Sequence, residues 1–77
     1  MKPLIAIPMG DAAGIGPEIT VKTIASEEAF KYARMIVVGN KRVLETACEF
    51  SDINLKINPI SSIGDFNDQP GVMNLIE

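Results

Sequence analysis

An α/β layer architecture with parallel strand pairing is the fold class this sequence predicts. Short aliphatic runs, among them "LIAI", "MIVV" and "VMNLIE", alternate with segments of helical periodicity at the spacing of βαβ units. The hydrophobic content of 47% is aliphatic, since the chain has one Tyr, three Phe and no Trp. That is the palette of a buried parallel sheet under covering helices. The 77 residues form a single α/β segment, 1–77, and a chain of this size buries only about 60–65% of its unfolded surface.

Leu4 to Ile7, bracketed by Pro3 and Pro8, reads as a short buried strand. The turn "MGDAAGIGPEIT" follows, and a helix is expected from Pro17 to about Ala25. Proline at the first helical position costs no hydrogen bond, and Glu18 complements the positive end of the dipole. Ile15, Ile19 and Ile24 are expected near one face, while β-branched Thr20, Val21 and Thr23 leave the helix dependent on packing. Ser26 caps a further short helix, "EEAFKYA". Met35 to Val38 makes a second buried strand, ended by Gly39 and Asn40. Asn40 is the N-cap of "KRVLETACEF", where Val43, Leu44, Ala47 and Cys48 recur at helical spacing. "INLKIN" is a weaker third strand, "PISSIGDFNDQPG" a loop, and "VMNLIE" a last short strand.

Composition narrows the function. A formal charge of -3 and a pI near 4.8 give no footprint for nucleic acid or an anionic membrane surface. Pro8 and Asp11 interrupt the N-terminal apolar run before it could act as a signal sequence, and no stretch has transmembrane length, so a cytoplasmic location is expected. Cys48, the one cysteine, reads as a buried structural thiol. With no histidine in the chain, there is no imidazole for acid-base chemistry, for a nucleophile pair or for a metal.

The glycine-rich turn is the feature that carries chemistry. Gly10, Gly14 and Gly16 match neither the dinucleotide fingerprint nor the Walker loop. They describe a strand-to-helix connection with unusual backbone freedom, ending at a helix start whose unpaired amides either take an anion or are capped and hydrated. Asp11 follows the C-terminal end of a strand, where open α/β sheets place ligands. Lys41 and Arg42 read as solvated surface charges, because cations at a helix N-terminus oppose the dipole. Asp65 and Asp68 lack the order of a calcium loop and read as turn chemistry.

"GDAAGIGPEI", preceded by "IAIPM" and followed by "RMIVVGN", resembles the start of the 4-hydroxythreonine-4-phosphate dehydrogenases, whose usual signature is G-D-P-A-G-I-G-P-E. The shorter G-D-G-I-G-P-E of isocitrate and isopropylmalate dehydrogenases lacks the extra residues seen here as Ala12 and Ala13. Ala12 stands where the family usually has proline, which removes one rigid φ from the turn. The resemblance covers the whole chain but only the N-terminal portion of such an enzyme. It implies the N-terminal βαβαβ part of an isocitrate/isopropylmalate dehydrogenase-like fold, incomplete in this chain.

The resemblance further implies NAD-dependent oxidative decarboxylation of a small phosphorylated substrate, on the route to the vitamin B6 cofactor. A relative acting on phosphorylated threonate-like acids fits equally. It implies a homodimer and a divalent metal held by histidines of both subunits, acting as a Lewis acid. Those ligands are absent here, so no metal ligand and no catalytic residue is assigned to this chain. Cofactor binding is assigned to Asp11, Gly14 and Gly16 of the turn.

The chain ends in an apolar strand-like run, and a parallel sheet of this size lacks some of its covering layers, so a segment of a larger enzyme, inactive alone, is expected. The alternative is a small non-enzymatic protein that uses the turn as an anion-binding or docking module.

Overall fold

The computed structural model describes residues 2–9 and 16–77. Strand β1 (Leu4–Pro8) leads to helices α1 (Gly16–Ala25) and α2 (Glu27–Tyr32), then β2 (Arg34–Val38), α3 (Lys41–Phe50), β3 (Lys56–Pro59), a 3-10 turn (Ile63–Asp65) and β4 (Val72–Ile76). The four strands form one sheet in the order β1-β2-β4-β3, and each neighbouring pair is parallel. The expected α/β class with parallel pairing is what the chain adopts.

The helix caps follow from single residues. Ser26 accepts a hydrogen bond from the Ala29 amide at 3.2 Å, and Asn40 Oδ1 accepts one from the Val43 amide at 3.1 Å. Helix α3 ends in a Schellman turn: the Ile53 amide donates to the Cys48 carbonyl at 2.9 Å and the Asp52 amide to Glu49 at 3.2 Å. The left-handed position is taken by Asp52, with φ of 55°. Aspartate is one of the few side chains that tolerate it.

The core lies between α1, α3 and one face of the sheet. Val21, Val37, Leu44 and Met73 are fully buried, with Ile24, Ala47, Cys48 and Leu75 around them. Alternation along the strands sets the sides: Val37 and Leu75 are paired in register and point into this core. Their neighbours Val38 and Ile76, also in register, belong to the other face, and Val38 is 42% exposed.

Three expectations are corrected by this packing. Strand β1 is an edge strand rather than a buried one, and Ile5 is 45% exposed. The buried face of α1 is Pro17, Thr20, Val21 and Ile24. Ile19 instead faces outward at 53% exposure, and Ile15 lies outside the described residues. The helix also starts one residue earlier than expected, at Gly16. The last strand expected, β4, is inserted between β2 and β3.

That insertion makes Asn74 the buried polar residue of the sheet, 2% exposed. Asn74 Oδ1 accepts from Asn58 Nδ2 and from the Asn67 amide, both at 2.9 Å, and its Nδ2 donates to the Asn67 carbonyl at 3.0 Å. Segment 60–71, which joins the parallel strands β3 and β4 without an α-helix, is tied to the sheet by these bonds. Asp65 accepts from the hydroxyls of Ser61 and Ser62, both at 3.4 Å. This is the turn chemistry expected of that loop.

Candidate functional site

The C-terminal ends of β1, β2 and β4 converge on one edge of the sheet. Past the strands, the Met9 amide donates to the Val38 carbonyl at 2.8 Å, and the Gly39 amide to the Ile76 carbonyl at 3.0 Å. Helices α1 and α3 both start at this edge. Ligands of open α/β sheets bind at such an edge because helix N-termini and strand C-termini meet there.

Of the residues assigned to cofactor binding, Gly16 is the first residue of α1. Asp11 and Gly14 belong to segment 10–15, which joins Met9 to Gly16 in the sequence and lies outside the described residues. The first turn of α1 offers backbone amides and a positive dipole end to an anion. Pro17 contributes no N–H there, so the donors come from its neighbours. Glu18, half-buried in the same turn, serves the dipole as expected.

Two clefts flank α3. One, of about 390 Å³, lies between the start of α1 and α3 and is lined by Pro17, Glu18, Arg42, Thr46 and Phe50 among others. The other, of about 450 Å³, has Glu45, Glu49 and Asp52 on its walls with Lys41 as the one cation. The larger volume is the poorer place for a phosphorylated acid, because three carboxylates repel it. The cleft beside Gly16 balances Glu18 with Arg42 and adds the Thr46 hydroxyl. Phe50, 83% exposed, forms an apolar wall that periodicity placed at the end of a helix and nothing more.

The start of α3 is already supplied with acceptors. Besides the Asn40 cap, the Lys41 amide donates to Glu77 Oε2 at 3.3 Å and the Asn40 amide to Met9 Sδ at 3.4 Å. The side chains of Lys41 and Arg42 are exposed, as expected for solvated charges. The Glu77 and Met9 contacts had no signal in the sequence, because each joins residues more than thirty positions apart.

No metal centre forms from these elements: among the described residues no three of His, Cys, Asp and Glu could hold an ion. The divalent metal implied by the resemblance does not fit the residues described in this chain. Cys48 is buried, and burial, with the nearby Glu45 carboxylate adding to it, pushes its thiol pKa up. The thiolate is the reactive form. Alkylation at pH 8 is therefore expected to be slower than for a free thiol, and to rise steeply above the ordinary thiol range. Rapid labelling of the folded protein at pH 8 would contradict this environment. Among the described residues no helix is long and apolar enough to cross a membrane.

No family model matches the chain. Curated relatives do. A D-threonate 4-phosphate dehydrogenase of Fusobacterium nucleatum subsp. nucleatum is 44% identical over the whole chain, which covers 23% of that protein. One of the same name from Clostridium botulinum is 38% identical over 99% of the chain and 23% of its own length. The crystal structure of a 4-hydroxythreonine-4-phosphate dehydrogenase from Burkholderia phymatum superposes with a TM-score of 0.94 at 32% identity, covering all of this chain and 23% of that one. The chain thus spans about a quarter of the length of the relatives it matches. The resemblance drawn from the glycine-rich turn is borne out along the entire chain.

Proposed function

We propose that this chain, which corresponds over its whole length to the N-terminal part of the 4-hydroxythreonine-4-phosphate dehydrogenase family, contributes that part to a dehydrogenase of phosphorylated hydroxy acids. The carrying observation is the joint one of 44% identity to a D-threonate 4-phosphate dehydrogenase and a TM-score of 0.94 to a 4-hydroxythreonine-4-phosphate dehydrogenase. D-threonate 4-phosphate is the preferred substrate in this reading, and 4-hydroxythreonine 4-phosphate the second. Both combine a phosphate with a secondary alcohol beside a carbon that bears the carboxylate. Oxidation of that alcohol gives a β-keto acid, and loss of carbon dioxide from it follows.

NAD is the oxidant in this reading and takes the hydride when bound. A divalent metal would supply Lewis-acid chemistry in this reading, with ligands outside this chain. This chain supplies scaffold and anion binding through α1 with its first turn and the Arg42 side of the small cleft, and cofactor binding through the turn residues Asp11, Gly14 and Gly16. A homodimer and a cytoplasmic location complete the proposal.

The test is an assay of the purified protein that carries this chain, with NAD, each phosphorylated acid and a divalent metal. Reduction of NAD matched by carbon dioxide release, abolished by a chelator, is the expected result. Absence of NAD reduction with both acids would overturn the reading. Within it, Asp11→Ala is expected to lower kcat/KM about tenfold or more, a barrier change of roughly 1.4 kcal/mol. Its Tm should fall less than its turnover. Wild-type turnover with a lowered Tm would remove Asp11 from the site.

A further inference from the structure

The two outer strands of the sheet differ in kind. Strand β3, at one edge, carries Lys56 and Asn58 among its four residues, and Lys56 is exposed. Short strands with charged residues are how proteins keep a solvent-facing edge from pairing further. Strand β1, at the other edge, reads Leu-Ile-Ala-Ile-Pro, with no charge and no polar side chain. A continuous aliphatic run belongs to a parallel strand buried among neighbours. Yet Ile5 is 45% exposed, and Ala6 is exposed as well.

The backbone defines what this edge offers. In a parallel pair, alternate residues turn both N–H and C=O toward the neighbour. The Arg34 amide donates to the Pro3 carbonyl and the Met9 amide to the Val38 carbonyl, both at 2.8 Å. With Leu4 in register with Arg34 and Pro8 with Val38, Ile5 and Ile7 therefore bond to β2. Leu4, Ala6 and Pro8 face the other way. Leu4 and Ala6 each present an amide and a carbonyl there, while Pro8 has only its carbonyl. Among the described residues, β1 pairs with β2 and with no other strand.

We propose that the outer edge of β1, from Leu4 to Ala6, is the docking surface for one more strand, supplied by the part of the protein that lies outside this chain. This rests on the reading above that the chain is one part of a longer dehydrogenase. Its source is the length of such an enzyme that has no counterpart here, since the chain covers 23% of the relatives it matches. The edge sets the chemistry of the occupant: an extended, uncharged, apolar segment with no proline opposite Leu4 or Ala6, because it must return donors to their carbonyls. Full pairing stops at Pro8, which has no N–H to give. One end of the docked strand therefore lies beside Pro8, at the sheet edge where α1 begins, and brings its own adjoining residues to the candidate site.

The test is residue-resolved amide exchange on the whole protein that carries this chain, together with the Tm of Ala6→Pro. The Leu4 and Ala6 amides are expected to exchange as slowly as those of Ile5 and Ile7, at every protein concentration. Ala6→Pro removes an outward N–H, a change that an unpaired edge tolerates. In a paired strand it should lower the Tm by about 5 °C or more. Fast exchange at Leu4 and Ala6 beside slow exchange at Ile5 and Ile7, or a wild-type Tm for Ala6→Pro, would overturn the docked strand. Protection that fades on dilution would assign the edge to a second copy and overturn it equally. A protein that reduces no NAD with either acid yet protects both amides would sink the dehydrogenase reading and leave the docked strand in place.

Discussion

Leu44→Ala is expected to cost about 2–5 kcal/mol, the range for deleting a fully buried leucine side chain. Leu44 is 0% exposed and sits in the core cluster, where α3 meets α1 and the sheet. Urea unfolding of the protein that carries this chain should show a correspondingly lowered midpoint. Neighbouring α1 has little independent strength, since its β-branched Thr20, Val21 and Thr23 lower its helix propensity, so it should melt together with α3. Phe50→Ala is the internal control. Its ring is 83% exposed, and its loss should leave the midpoint within about 0.5 kcal/mol of wild type. Equal losses for Leu44 and Phe50 would show that the cluster is not the stabilising core.

Why this leucine was legible and other residues were not comes down to the range of the interaction that decides each one. Val43, Leu44, Ala47 and Cys48 repeat at helical spacing in a helix whose remaining positions, the terminal Phe50 apart, are polar, so its buried stripe is unambiguous. Asn40 and Ser26 act on amides three residues away, and local chemistry suffices to name them. Helix α1 is different. Ile19, Thr20, Val21, Thr23 and Ile24 put methyl groups on nearly every side, and only docking against α3 decides that Thr20 is buried and Ile19 is not.

Strands show the same limit. A run such as "LIAIP" says that a strand forms, but central or edge placement depends on which strands pair. The order β1-β2-β4-β3 arises because the chain passes from β2 to β3 over a gap that β4 later fills. Nothing within any one strand encodes that gap. The family resemblance was legible because three glycines, an acid and a proline in one short stretch form a specific signature, and relatives match along the whole chain. The bond from the Asn40 amide to Met9 Sδ was not, since it depends on two strand ends meeting in register.

Asn74→Ala is expected to have the second large effect, through hydrogen bonds and not through volume. The amide of Asn74 serves three partners: Asn58 Nδ2, the Asn67 amide and the Asn67 carbonyl. Each partner left unsatisfied when buried costs about 1–3 kcal/mol. Asn58 and Asn67 are only half-buried, and water reaching them lowers the total to roughly 2–4 kcal/mol on that scale. The loss has a location as well as a size. Segment 60–71 has no helix to pack it, so amide exchange there should quicken before the core is affected. Asn58→Ala removes one of the three bonds together with the 3.2 Å bond from Asn58 Nδ2 to the exposed Asp65 carbonyl, and should still cost less than Asn74→Ala.

The effect should also reach the opposite end of β4. Two residues beyond Asn74, the Ile76 carbonyl accepts the Gly39 amide, and then Glu77 accepts the Lys41 amide. A β4 freed from its polar anchor holds both less firmly, so exchange at Gly39 and Lys41 should rise along with that of segment 60–71. Unchanged exchange at Gly39 beside a large stability loss would show that the sheet edge is held by β1 and β2 alone. A stability change within about 0.5 kcal/mol, the range of an ordinary surface substitution, would mean that the Asn74 network does not anchor the strand.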